Sequence, residues 1–463
     1  MERKNVWNSY DEKQLESLES LAKDYRAFLD AGKTERECVT EAVRLAKAAG
    51  CRNLEDVIAA GETLKAGDRV YAVNMKKTLA LFTVGRESME NGMRILGAHI
   101  DSPRLDLKQN PLYEDTELAF LDTHYYGGIK KYQWVAVPLA LHGVVAKKDG
   151  TVVEITVGEK EDDPVVCIPD LLVHLAAKQM EKKAGEVIGG DDLNVLVGSH
   201  PLKDSGDKEL KDAVAAYVMD VLRQQYGMEE EDFLSAEIEV VPAGKARDCG
   251  LDRSMVLAYG QDDRVCAYTS LAAFLNTEPQ DKTCCCLLVD KEEIGSVGAT
   301  GMDSAFFENT VAELMNCLGC YSELALRRAL KNSKMLSSDV SAAYDPNYDS
   351  HFEKKNTAYF GRGMVLNKYT GHRGKVGSSD ANAEYVAEIR RIFDERGVAF
   401  QTAEMGKVDV GGGGTIAFIS AFYGMDVIDS GVALLSMHAP MEIASKADIY
   451  EAVKGYEAFL REA

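Results

Sequence analysis

From about residue 250 to the C-terminus the chain alternates short apolar runs of strand type with longer helical ones. Strand patterns fall at 255–259, 284–289, 335–339, 398–402 and 427–436, and helical stretches between them include 306–330 and 381–393. This alternation constrains the fold more than any other feature. Parallel strands need long crossovers, and helical crossovers cover both faces of one sheet. The first hundred residues read the same way. Leu15, Leu18, Leu21, Tyr25, Phe28 and Leu29 form one helix stripe. Thr34 and Glu37 are spaced as a capping box opening a second helix, and strands follow at 69–73, 79–84 and 94–100.

Between 105 and 245 the texture changes. Residues 144–155 read as a hairpin with Asp149-Gly150 at its tip, and the acidic runs 159–163 and 229–232 read as solvated loops. The expected class is therefore α/β. A three-layer αβα domain with a mostly parallel mixed sheet, formed by residues 1–104 and 246–463, is interrupted by a strand-rich inserted domain, 105–245.

Composition narrows the function. Lys plus Arg is 53 against 75 Asp plus Glu, a formal charge of −22, which argues against a nucleic-acid partner because phosphate binding needs clustered cations. No run approaches the ~18 apolar residues of a membrane span, and the N-terminus leads into a charged helix without a signal-peptide pattern. The expectation is a cytoplasmic protein. The ten cysteines have irregular spacing. Cys284, Cys285 and Cys286 sit on one strand and must alternate faces, so they read as small hydrophobes and not as one metal site. Cys317 and Cys320 have knuckle spacing without a second pair, which favours core packing. Two phosphate-loop lookalikes fail. Gly32-Lys33-Thr34 has Ala27 where the motif needs glycine and follows a helix, while 411–414 would put the last fingerprint glycine at Ile416.

The chemistry gathers where predicted strands end, which is where open α/β sheets present their ligands. His99 and Asp101 are two apart and share a side of the chain, suiting an imidazole steadied by a carboxylate. Asp262-Asp263, Glu292-Glu293, Asp339 and His438 follow four further strands. Each has a bland reading: a loop histidine, a surface turn, an exposed acidic turn, a helix N-cap, a core histidine. The Glu292-Glu293 turn argues against its own, because Ile294-Gly295-Ser296 looks set to continue into packed structure. Adjacent carboxylates after an apolar strand also repel unless a cation sits near them, and since neighbouring side chains diverge, one can bind a metal while the other acts as general base. Together the five sets point to a two-metal hydrolytic site. Two histidines with carboxylates and no thiolates suit zinc, with cobalt or manganese as alternatives.

At these residues the chain resembles the aspartyl aminopeptidase, or aminopeptidase-I-like, family of dinuclear zinc metallopeptidases. The matching pieces are 97–103, 262–264, 290–296, 338–339 with 345–348, and 436–442, in the family's order. The resemblance implies that Asp262 bridges two divalent ions, that His99 and Asp339 complete one site, and that Glu293 and His438 complete the other. It makes Glu292 the general base and Asp101 the partner of His99, with a cis peptide after the bridging aspartate. It implies an aminopeptidase acting on peptides with a free N-terminus, assembled as a homo-oligomer, in this family a dodecamer, through the inserted domain. In some relatives a histidine reaches a neighbouring subunit's site. Residues 168–174 resemble that segment, with Asp170 at one histidine position and His174 as the candidate; the alternative is a histidine packed on a helix face with Leu171 and Leu175. Lys368 is the first candidate cation for the pocket that receives the substrate's first side chain. The rival readings are a deacylase or carboxypeptidase on the same site and a catalytically silent assembly protein.

Overall fold

The computed structural model describes residues 4–203 and 211–463. Residues 1–3 of the N-terminal reading and 204–210 of the expected inserted domain lie outside the described residues. The chain forms two compact units, one of Met1–Asp101, Ala246–Met437 and Glu442–Ala463, the other of Ser102–Lys245 and His438–Met441.

The first unit is built on a mixed sheet of nine strands among the described residues. Its centre runs Thr78–Thr83, Cys284–Val289, Arg94–His99, Lys334–Ser338, Asp426–Gly431, Met364–Asn367 and Phe400–Thr402. The strands Arg94–His99, Cys284–Val289, Lys334–Ser338 and Asp426–Gly431 are mutually parallel neighbours. Met364–Asn367 pairs antiparallel with Asp426–Gly431, and Phe400–Thr402 follows it in parallel, so these two run the opposite way.

Both faces are apolar, as buried strands of such a sheet require. Cys284, Cys286 and Leu288 join one core with Tyr25, Phe28, Phe274, Phe393 and Phe459. Cys285, Leu287 and Val289 join the other with Phe307, Leu314 and Leu326. The cysteine triplet therefore alternates faces. Cys317 is buried, but Cys320 is exposed and not a core residue. Helix Glu12–Ala31 carries the predicted stripe, and Glu35–Ala48 opens with the Thr34/Glu37 capping box.

Two expected elements are broken. The helical stretch 306–330 is two helices, Phe306–Cys317 and Glu323–Lys331, because Gly319 takes a left-handed conformation that ends the first. The apolar run 427–436 is two strands, Asp426–Gly431 and Ala433–Leu435, in different sheets. The second lies in a five-stranded sheet with Met255–Ala258 and Glu442–Ser445.

The second unit is a six-stranded antiparallel sheet ordered Val152–Val157, Leu139–Ala146, Ala236–Pro242, Arg104–Asp115, Leu118–Tyr126 and Val195–Gly198. The predicted hairpin is present, with Lys147 N–H on the Thr151 carbonyl at its turn. Among the described residues no helix is long and apolar enough to cross a membrane.

Candidate metal centre

Arg94–His99 is an unbroken buried strand, so its last side chain is delivered into an enclosed place. His99 Nε2 lies 3.3 Å from Asp262 Oδ1 and 3.9 Å from Glu292 Oε2. On its other side His99 Nδ1 lies 3.0 Å from the Asp101 carbonyl oxygen and 3.3 Å from Asp101 Oδ1. Two groups of ligand atoms within 4.8 Å of one another form here: His99, Asp262 and Asp339, and His99, Glu292 and Glu293.

Each carboxylate is placed by a separate device. Asp339 directly follows Lys334–Ser338, and its N–H bonds the Ser430 carbonyl, continuing the pairing with the neighbouring strand. No helix begins there, so it is not an N-cap. Glu292 and Glu293 lie on a single 3-10 turn, Glu292–Ile294, entered through Lys291 in a left-handed conformation. Ile294 is exposed, but the chain is buried again at Ser296, whose N–H bonds the Lys291 carbonyl. Asp101 also holds the turn, accepting the Glu292 N–H at 3.1 Å on one oxygen and the Glu293 N–H at 3.2 Å on the other.

Asp262 follows the strand Met255–Ala258 of the small sheet, and the Asp262–Asp263 peptide is cis. A buried network fixes this corner. Tyr25 Oη–H donates to Gln261 Oε1 at 3.1 Å, Gln261 Nε2 donates to the Glu442 carbonyl at 2.6 Å, and Asp262 N–H donates to Glu442 Oε2 at 3.1 Å. Arg264, fully buried, donates from Nε to the Ile100 carbonyl and from Nη2 to the Lys33 carbonyl. The lookalike phosphate loop is thus an acceptor for a positioning arginine. Sequence reasoning gave Gln261, Arg264 and Glu442 no role; the available signal was a charged or amide group beside each ligand in an otherwise apolar setting.

Electrostatics show what the cluster lacks. Burial pushes the Asp339 carboxyl well above its ordinary range, and Asp263, Glu292 and Asp262 add to the rise against the opposing His99. Burial likewise raises Asp263, with Asp262 and Glu292 contributing. Burial alone would lower His99, but hydrogen bonds to Asp101 and Asp262 and the field of Glu292 carry it well above the usual imidazole value. A buried knot of carboxylates around one imidazole is costly without cationic charge, and its hard oxygen and borderline nitrogen donors fit divalent zinc.

His438 belongs to the second unit, with Nδ1 2.8 Å from the Gly128 carbonyl oxygen. His174 also lies there, exposed in a turn closed by Leu175 N–H on the Leu172 carbonyl. Leu171 and Leu175 are exposed too, so there is no packed helix face at that place. Lys368 is exposed. It leaves the C-terminal end of Met364–Asn367, which runs opposite to the ligand-bearing strands, and its Nζ pairs with Asp380 at 3.6 Å. It also lines a pocket with Tyr369, Arg390 and Glu404.

Residues 28–460 match the family model described as aminopeptidase I zinc metalloprotease (M18). The chain is 62% identical over 459 residues to a protein of Clostridium acetobutylicum named probable M18 family aminopeptidase 1, covering 99% of this chain and 98% of that one. It is similar to the crystal structure of an M18-family aminopeptidase from Thermotoga maritima, with TM-score 0.94, 45% identity and full coverage of both chains. It is also similar to the crystal structure of aminopeptidase I from Clostridium acetobutylicum, with TM-score 0.92, 61% identity and coverage of 100% and 99%.

Proposed function

The chain belongs to the aminopeptidase I (M18) family of zinc metalloproteases and is a metal-dependent aminopeptidase; from that premise we propose how its own residues do the work. Two divalent ions would be held by His99, Asp262 and Asp339 and by Asp262, Glu293 and His438. Bound there, the ions supply Lewis-acid activation of water and of the scissile carbonyl. Glu292 takes the proton of the attacking water and returns it to the leaving amine. Asp101 keeps the imidazole of His99 and the backbone of Glu292 in one arrangement. The observation that carries this reading is the convergence of Asp262 and Asp339, and of Glu292 and Glu293, on the one buried imidazole of His99.

The substrates are peptides with a free N-terminus. The assembly is a homo-oligomer, a dodecamer by its resemblance to the family. The exposed apolar residues Leu171, Leu172, Val173, Leu175 and Met180 around His174 support an interface there, with His174 offered to a neighbouring subunit. The enzyme works in the cytoplasm, where its ten cysteines would stay reduced.

The test is hydrolysis of unblocked dipeptides and aminoacyl anilides before chelation, after it, and after return of zinc, cobalt or manganese. Activity that needs a free N-terminus and returns with metal supports the reading. Activity untouched by complete metal removal overturns it.

A further inference from the structure

The first unit carries a half-open pocket of about 950 Å³ that gathers five cations, Lys354, Lys355, Arg362, Lys368 and Arg390, with Tyr359 beside them. It runs along Met364–Asn367 and Phe400–Thr402, with Leu366, Phe400, Gln401 and Thr402 in its lining, and these strands run opposite to those that carry the ligands. None of the candidate ligands lines it.

The charge here runs against the composition. With 75 carboxylates for 53 Lys and Arg, an exposed cation in this chain has carboxylates to spare. Two of the five have taken one: Lys354 pairs with Asp349 at 3.0 Å and Lys368 with Asp380 at 3.6 Å. Among the described residues Lys355, Arg362 and Arg390 form no ion pair, and Arg362 lies over the Tyr359 ring at 4.7 Å. The one acid on the wall, Glu404, accepts the Tyr369 hydroxyl at 2.6 Å. Three cations without carboxylate partners therefore face one space, beside an aromatic ring and a hydroxyl.

We propose that this cavity is a binding site for a small polyanion carrying at least two phosphate or carboxylate groups. Guanidinium groups give planar two-point contacts to either group, and Lys355 adds a mobile point charge. The volume suits a molecule of metabolite size. Because none of the candidate ligands lines the pocket, filling it leaves the metal-binding residues themselves free.

The test is calorimetric titration of the metal-loaded protein with a hexose bisphosphate, with tricarballylate, and with the neutral hexose as control, repeated on Lys355→Gln/Arg390→Gln. Both positions are exposed, so the double substitution should leave the melting temperature close to wild type; Lys355→Gln alone serves if it does not. Saturable binding of either anion, at least about tenfold weaker in the double variant and weakened by salt, supports the site. Binding of only one anion assigns the ligand to phosphate or to carboxylate chemistry. No saturable binding of either anion, or equal binding by wild type and variant, overturns the proposal. Aminopeptidase activity is read separately, so neither result bears on the metal centre.

Discussion

Asp101 holds Glu292 by its backbone: one oxygen of the buried aspartate accepts the Glu292 N–H at 3.1 Å. The other oxygen accepts the N–H of Glu293, and the same carboxylate lies 3.3 Å from His99 Nδ1. A single side chain thus couples the end of one strand to the turn after its neighbour.

Asp101→Asn tests that coupling. The amide keeps one acceptor but turns a donor toward a backbone N–H, so the Glu292–Glu293 turn loses half its anchor. Activity should fall roughly 10–100-fold, as with other groups that orient metal ligands, with bound zinc per subunit reduced. Kinetics and metal analysis of the purified variant check this; wild-type values in both would mean that the turn holds itself.

Glu442 should act through Asp262, whose N–H it accepts. Glu442→Gln retains an acceptor oxygen and should keep the fold while lowering kcat. Glu442→Ala leaves a buried N–H without its acceptor and should cost about 1–3 kcal/mol of stability as well. Denaturant midpoints measured beside kcat separate the two effects.

Gly431 tests a steric link to the metal centre. A Cβ at this position would overlap the carbonyl oxygen of Asp339. Gly431→Ala should push that backbone aside and weaken zinc binding, measured by competition with a chelator. Unchanged affinity would mean that the Asp339 ligand position tolerates the shift.

Asp448 sets a pH dependence of stability away from the metals. Burial lifts its carboxyl from 3.8 to about 7, with Glu451 adding to the rise, although Gly361 and Gly363 donate N–H groups to it. The folded state therefore holds the proton more tightly than the unfolded chain. Its contribution is complete below about pH 4 and is lost as pH rises toward 7. Relative to wild type, Asp448→Asn should lose stability less steeply over that interval. Parallel stability curves would contradict the assignment.

How much of this was legible in the sequence differs by residue. His99 and Glu293 could be found because each follows an unbroken apolar strand. The division of the run 427–436 could not, since Val432 is as apolar as its neighbours and only sheet membership separates the two strands. Strand direction was equally hidden. Lys368 follows a strand like the others, but that strand pairs antiparallel to Asp426–Gly431. Glu442 and Arg264 were visible as residues, yet their acceptors and donors are backbone groups of distant segments that no spacing rule connects.

The most direct test of the account is Glu292→Gln, assayed on an unblocked aminoacyl anilide with zinc content measured on the same sample. The account predicts a loss in kcat of roughly 10²–10⁴-fold with zinc retained, because proton transfer is removed and the proposed ligands remain. Activity close to wild type would contradict Glu292 as the general base. Loss of zinc along with activity would make it a ligand instead.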